Sequence, residues 1–240
     1  MEKFTLEELT DKYIGKSGSK PRNKFDNELR SESMDTLKNQ IKELALLYAE
    51  NLNAKIVERK ERMKLDDNSH YLIYRVLGIS DHEGELIDNY QNTGRFLYKY
   101  AGSFLEKATT LCFNYKYPKG VKTKVVNTLG QRPKTFEIDF LNGNDAIEVK
   151  WRDATTDADH ITKEHTRVKV IREHGYKPIR VMFYYPQRDQ AVRIQETLKT
   201  LYAGVEGEYY AGDEAWSFVK RYSGVDLKLV LTNIADERFS

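Results

Sequence analysis

The chain has 240 residues, of which 40% are hydrophobic and 12% aromatic, and this apolar content excludes a disordered, collagen-like or low-complexity protein. Its 39 basic and 37 acidic side chains give a net charge of +2, so total charge neither indicates nor excludes a nucleic-acid partner. The single cysteine, Cys112, excludes an intrachain disulfide and a cysteine-based zinc site.

The hydropathy pattern predicts a cytoplasmic protein. The first residues carry Glu2, Glu7, Glu8 and Asp11 without the apolar core of a secretory signal. No apolar run approaches the roughly 18 residues that span a bilayer, so we expect no membrane partner. A lone cysteine is also typical of a reducing compartment.

The first half of the sequence predicts helices. Apolar residues recur at three- to four-residue steps from Leu37 to Ile56, which is typical of one long amphipathic helix. The basic segment 16–27 contains Gly and Pro and predicts a loop or an arm that becomes ordered on binding. We expect 1–92 to be a helical region that supplies dimer contacts and part of a DNA clamp. Within this region, helices are predicted over 33–64, 70–78 and 83–92. The region 93–240 is predicted to begin with a helix over 93–113.

The second half changes to the alternating pattern of a β-meander. Asn142-Gly143-Asn144-Asp145 is a strong turn between two such alternating segments. The nearly continuous apolar segment 177–185 predicts a buried strand after a helical crossover. We therefore expect an α/β fold with a mixed central sheet. Strands are predicted over 121–129, 135–141, 146–151 and 177–185, and helices over 159–175, 188–202, 213–222 and 225–235.

The meander contains the residues that indicate chemistry. Asp139 precedes Glu148-Val149-Lys150 by eight intervening residues, and strand alternation places Glu148 and Lys150 on one face. A four-residue loop predicts Asp139 directly opposite Glu148, and a two-residue loop predicts it opposite Ala146. Either loop predicts that Asp139, Glu148 and Lys150 share one face.

Two carboxylates on one face form an oxygen-rich site for Mg²⁺, which binds one or two carboxylates, waters and phosphate oxygens. A neighbouring lysine can orient or deprotonate water and stabilise charge developing at phosphorus. These groups suit metal-assisted hydrolysis of a phosphodiester. The sequence has no GxxxxGK[ST] loop and no GxSxG elbow, so it lacks the signatures of a P-loop NTPase and an α/β hydrolase.

The bare pattern is common in a chain that is 32% charged, and an exposed hairpin can carry such residues without catalysis. The order of elements around it is more specific. Residues 93–185 follow the αβββαβ order of one nuclease superfamily, and Asp139…Glu148-Val149-Lys150 resembles the PD-(D/E)XK motif of type II restriction endonucleases. One position departs from that motif, because Ile138 stands where Pro is frequent.

The resemblance implies roles for individual residues. Asp139 and Glu148 would be metal ligands, and Lys150 would be the motif lysine. The main-chain carbonyl of Val149 would add a further ligand, and Glu106 resembles the extra helical carboxylate that some members carry. The resemblance thus implies Mg²⁺ as the cofactor and 93–240 as the catalytic core.

Other residues have chemistry suited to DNA. Arg152 is expected to contact a phosphate or a guanine, and Thr155 and Thr156 to contact phosphates or bases. Capping of the following helix is the alternative for Thr156. Arg95 and the basic residues Lys122 and Lys124 are further candidates, although solvated side chains explain each lysine taken alone.

The stretch from Glu148 to His165 resembles ApaLI-like restriction endonucleases. This resemblance implies Mg²⁺-dependent double-strand cleavage at a short sequence, a homodimer for a palindromic site, a prokaryotic cytosol and a cognate DNA methyltransferase. Two alternatives remain open at this point. One is a structure-specific repair or recombination nuclease, and the other is a DNA-binding module without catalysis.

Overall fold

The computed structural model describes residues 26–130, 132–152 and 158–240, with side chains described for 33–130, 132–152 and 161–240. Thr155 and Thr156 therefore lie outside the described residues. In chain order the helices and strands are α1 (Asp26–Met63), α2 (Tyr71–Val76), α3 (Asp81–Lys116), β1 (Val121–Val126), β2 (Thr135–Asn142), β3 (Asp145–Arg152), α4 (Ala158–Glu173), β4 (Lys177–Tyr184), α5 (Asp189–Ala203), β5 (Glu208–Ala211), α6 (Asp213–Ser223) and α7 (Leu227–Phe239).

The five strands form one mixed sheet in the order β1-β2-β3-β4-β5. The pairs β1–β2 and β2–β3 are antiparallel, whereas β4 lies parallel to β3 and β5 parallel to β4. Parallel neighbours require crossover connections, and α4 and α5 provide them here. The predicted α/β fold with a mixed sheet is confirmed, with the restriction-endonuclease-like order of elements.

The hairpin between β2 and β3 closes through Gly143 and Asn144, and Gly143 has a positive φ of 57° that favours glycine. The pairs Asn142–Asp145 and Phe140–Ile147 set the register, and Ala146 pairs with Leu141. The prediction that a two-residue loop gives Asp139 the partner Ala146 is wrong. A two-residue turn at the centre of the predicted four-residue loop keeps the same register.

A β-bulge interrupts β2 at its most informative residue. Val121 pairs with Leu141 but Thr123 pairs with Ile138, so Asp139 and Phe140 both lie opposite Lys122. The prediction that Asp139 shares the face of Glu148 assumed uninterrupted alternation, and this assumption is wrong for β2. A one-residue offset redirects the side chains that follow it.

The sheet is packed on both sides. On one side Ile138 and Ala146 pack with Val170 and Ile171 of α4. Elsewhere Phe140 contacts Phe113 of α3 at a ring-centroid distance of 5.1 Å. Replacing a buried phenylalanine of this kind by alanine costs about 3–5 kcal/mol. These two layers of packing fix the position of β2 and β3.

Two sequence predictions differ from the structure. The helices expected over 83–92 and 93–113 form one continuous helix, α3, in which the Thr93 hydroxyl donates to the Asn89 carbonyl instead of capping a new helix. Strand β5 was not predicted, because its four residues are too short for a periodic signal. The other predicted helices and strands are confirmed; α1 begins at Asp26 instead of 33, and the remaining ends differ by a few residues. The predicted loop 16–27 lies outside the described residues except for its last two residues, which belong to α1.

The described chain divides into two compact units, one comprising Lys42–Phe104 and the other the described residues up to Ile41 together with Leu105–Ser240. Within the first unit, Tyr48 packs edge-on against Tyr100 and Phe104. The second unit contains the whole sheet. The expected division of roles at residue 92 stays a prediction. Among the described helices, none has the length and apolarity to cross a membrane.

Candidate active site

Three carboxylates meet beside the bulge in β2. Glu106 comes from α3, and Glu137 and Asp139 come from β2. One oxygen from each lies within 4.8 Å of the others, which is close enough for all three to bind one metal ion. Glu106 and Asp139 were both predicted site residues, and the structure brings them together. Glu137 was not predicted.

Lys122 brings a positive charge to this acidic cluster. Its Nζ lies 2.7 Å from Glu106 Oε1, 2.8 Å from Glu137 Oε1 and 3.7 Å from Asp139 Oδ1. Partial burial opposes the charged form, but the surrounding carboxylates outweigh it and raise the pKa of Lys122. The ammonium group therefore neutralises part of the cluster.

Asp139 is the most buried of the three carboxylates, with 7% of its surface exposed. Its Oδ2 accepts a hydrogen bond of 2.9 Å from the main-chain N–H of Val149. Burial first, and then the negative charges of Glu106 and Glu148, raise the pKa of Asp139 to about 6. Asp139 thus connects β2 to β3, and its surroundings disfavour its negative charge.

Glu148 and Lys150 form a second group. Lys150 Nζ lies 2.9 Å from Glu148 Oε1, and the guanidinium of Arg167 lies 2.6 Å from the same oxygen. Arg180 donates to Glu148 Oε2 at 3.0 Å, and the Tyr202 hydroxyl donates to it at 3.3 Å. Burial alone would raise the pKa of Glu148, but Arg167, Lys150 and Arg180 outweigh it and lower that pKa strongly.

Glu164 of α4 extends this group into the core. Its Oε2 accepts from Arg180 at 3.2 Å, and its Oε1 lies 3.3 Å from Arg167. Arg180 is 0% exposed, so its charge depends on these carboxylates. Burial, followed by the charge of Glu148, raises the pKa of Glu164.

The four predicted catalytic residues therefore form two pairs: Glu106 with Asp139, and Glu148 with Lys150. The pairs are connected through the hydrogen bond between Asp139 and the Val149 main chain, and the charges of Glu148 and Lys150 both influence Asp139. That the four residues act together as one catalytic site stays a prediction. The cations Arg167 and Arg180 bind Glu148 and orient its carboxylate.

The residues predicted to contact DNA have different environments. Arg152 is exposed at the end of β3, with its guanidinium carbon 5.4 Å from the Trp151 ring centroid. Lys122 is bound to the acidic cluster, and Lys124 lies 3.8 Å from Glu137 Oε2. Arg95 is exposed on α3.

Sequence reasoning predicted Lys150 beside Glu148 but missed the two arginines that also pair with Glu148. Arg167 lies on α4 and Arg180 on β4, and both are distant from the motif in sequence. The one available signal for Arg180 is a charged residue inside an otherwise apolar segment, because such a residue needs a buried partner. Glu137 had a similar signal, since it stands two residues before Asp139 on the same strand.

Comparison with known families identifies the family of this chain. The model of the ApaLI-like restriction endonuclease family matches residues 9–236. Neither a curated protein nor a solved structure matches the chain. Since the family match covers nearly all of the sequence, the chain belongs to the ApaLI-like restriction endonucleases, which are site-specific DNA endonucleases.

Proposed function

We propose that this protein is a Mg²⁺-dependent type II restriction endonuclease that hydrolyses both strands of DNA at a short specific sequence. The observation that carries the proposal is the meeting of Glu106, Glu137 and Asp139 beside Glu148 and Lys150. Family membership gives site-specific DNA cleavage, and the acidic cluster supports the metal dependence.

The donor set fits a hard divalent cation. Three carboxylates within 4.8 Å offer the oxygen ligands that Mg²⁺ prefers. Burial first, and then the charges of Glu106 and Glu148, raise the pKa of Asp139, and a divalent cation beside it would stabilise its charged carboxylate. We assign Asp139 and Glu106 as ligands, with Glu137 as an additional donor. From the family resemblance we also assign Glu148 and the Val149 carbonyl.

Bound Mg²⁺ would polarise a phosphate oxygen and lower the pKa of a bound water. Lys150 is assigned to the attacking water and to the negative charge that develops on the phosphate. The adjacent Glu148 carboxylate raises the pKa of Lys150, so its ammonium is protonated at neutral pH. This supports orientation and charge stabilisation by Lys150 and disfavours its use as the general base.

The remaining parts of the proposal concern assembly and DNA contact. A palindromic site presents two equivalent scissile bonds, which two symmetric active sites of a homodimer would cut. We propose that 1–92 supplies dimer contacts and a DNA clamp, and that 93–240 is the catalytic core. Arg152, Thr155 and Thr156 are assigned to DNA contact, and a cognate methyltransferase would protect the host genome.

Plasmid digestion tests the proposal. Supercoiled plasmid incubated with the protein and Mg²⁺ should give discrete fragments with identical end sequences, and EDTA should abolish them. Asp139→Asn should bind the same DNA in Ca²⁺ without cutting it. Light scattering should give twice the mass of one chain. Cleavage in EDTA, or fragments with random ends, would contradict the metal dependence or the specificity respectively.

A further inference from the structure

A basic cleft lies within the unit Lys42–Phe104, between α1 and α3. Its volume is about 270 Å³. Five cations and one carboxylate line it, which gives a net charge of +4 on the lining side chains. These residues are Lys55, Glu58, Arg59, Arg62, Arg95 and Lys99.

The basic residues form a row on each helix. Lys55, Arg59 and Arg62 are separated by four and three residues on α1, and Arg95 and Lys99 by four residues on α3. Residues at these separations lie on one face of a helix. The two rows therefore face each other across the cleft, and Arg59 links them by a hydrogen bond of 3.0 Å to Asn92.

The charges on the two rows are satisfied unequally. On α1, Glu58 accepts from Lys55 at 2.7 Å and from Arg62 at 2.5 Å, and Arg59 reaches Asp66 at 3.1 Å. On α3, by contrast, Arg95 and Lys99 have no carboxylate partner among the residues whose side chains are described. The α3 side of the cleft thus carries two exposed cations that lack a counter-charge.

Aromatic packing makes the α3 side well defined. Phe96 and Tyr100 complete the lining, and the Arg95 guanidinium carbon lies 5.0 Å from the Phe96 ring centroid. Tyr100 in turn packs against Tyr48 of α1. A guanidinium with a preferred orientation loses less conformational entropy when its donors bind an anion.

We infer that this cleft binds a phosphate of the DNA backbone, with Arg95 and Lys99 as its main contacts and Arg59 and Arg62 behind them. The inference rests on the proposed function, and it gives the helical unit a DNA contact of its own. Arg95 then contacts phosphate and reads no base, so its contribution is independent of DNA sequence. The negative charge of a phosphate is complementary in sign to a cleft in which cations exceed carboxylates by four.

The test measures DNA binding by the full-length protein in Ca²⁺ over a series of KCl concentrations. The double variant Arg95→Gln/Lys99→Gln is compared with the control Lys60→Gln/Lys64→Gln, which removes the same charge from the same unit outside the cleft lining. The DNA affinity of the cleft variant should fall by up to about tenfold. The slope of log affinity against log KCl concentration should become less steep by about 1–2, because each lost phosphate contact lowers that slope by about 0.9. Cognate and non-cognate duplexes should be affected equally.

Any of four outcomes overturns the inference. The first three are an unchanged DNA affinity and salt slope of the cleft variant, an equal effect of the control variant, and a loss of affinity confined to the cognate duplex. The fourth is a calorimetric result: if inorganic phosphate binds the wild type but not the variant, and DNA affinity is unchanged, the cleft binds free phosphate instead. These outcomes are separable from failure of the proposed function, in which the wild type itself gives no Mg²⁺-dependent cleavage.

Discussion

Lys122 lies opposite Asp139 at the bulge between β1 and β2, and its ammonium group is 3.7 Å from the Asp139 carboxylate. The same ammonium contacts Glu106 and Glu137 at shorter distances. A lysine thus occupies the middle of a cluster whose oxygens suit a divalent cation. In the proposed enzyme, metal binding and the Lys122 ion pairs compete for the same carboxylates.

Lys122→Met should therefore destabilise the metal-free protein and tighten divalent metal binding. Without the ammonium, the three carboxylates repel one another more strongly, and a bound cation gains more by neutralising them. We expect a lower melting temperature in EDTA and up to about tenfold higher Ca²⁺ affinity, equivalent to about 1.4 kcal/mol. Calorimetric Ca²⁺ titration measures this, with Lys119→Met, at an exposed lysine of the turn before β1, as the control. Equal effects of both substitutions would show that general charge, and not the Lys122 contacts, sets the affinity.

The raised pKa of Asp139 predicts an unusual pH dependence of stability. Its folded-state pKa of about 6 exceeds the ordinary value of 3.8, so the folded protein binds more protons between these values. The contribution of Asp139 to the free energy of unfolding should fall as pH rises through this window, by about 3 kcal/mol in total.

Asp139→Asn removes this titration. In EDTA, the free-energy difference between the variant and the wild type should therefore grow in the variant's favour from pH 4 to pH 7. Urea denaturation at each pH measures the difference. A difference that is constant over this range would show that Asp139 titrates normally.

Lys150→Ala should separate binding from catalysis. Lys150 is proposed to orient the attacking water and to stabilise the negative charge of the transition state. The cleavage rate should therefore fall by about two orders of magnitude or more. DNA binding in Ca²⁺ should largely persist, because Arg167 and Arg180 still hold Glu148. Single-turnover cleavage measures the chemical step. Lys169→Ala, which removes an exposed lysine from α4, is the matched control, and near-normal cleavage by Lys150→Ala would remove the role given to Lys150.

Arg180→Met should test the buried ion-pair network. The substitution leaves Glu148 and Glu164 in the core without their most buried cation, and breaking such a pair costs about 3–5 kcal/mol. Adding Glu164→Gln to the same chain should restore part of this loss, because one unpaired carboxylate is removed. Urea denaturation of the single and double variants measures both effects. If the double variant were less stable than the single one, Glu164 would not depend on Arg180 for its charge.

Much of the fold followed from local patterns in the sequence. Alternation identified β2 and β3, Asn142-Gly143-Asn144-Asp145 identified their turn, and an apolar run identified β4, because these signals lie within a few neighbouring residues. The same local logic paired Glu148 with Lys150 on one face of β3, and the ion pair between them confirms it. The sequence also identified Glu106 as a partner for Asp139, but only through resemblance to a known family.

The tertiary structure decided which charges meet. The meeting of Asp139 with Glu106 and Lys122 depends on how β1 pairs with β2, and pairing between strands leaves no periodic trace in either one. Likewise, Arg167 and Arg180 reach Glu148 only because α4 crosses over to place β4 beside β3. Alternation along a strand is a local property that a sequence determines, whereas a buried charge needs a partner that only the folded chain brings to it.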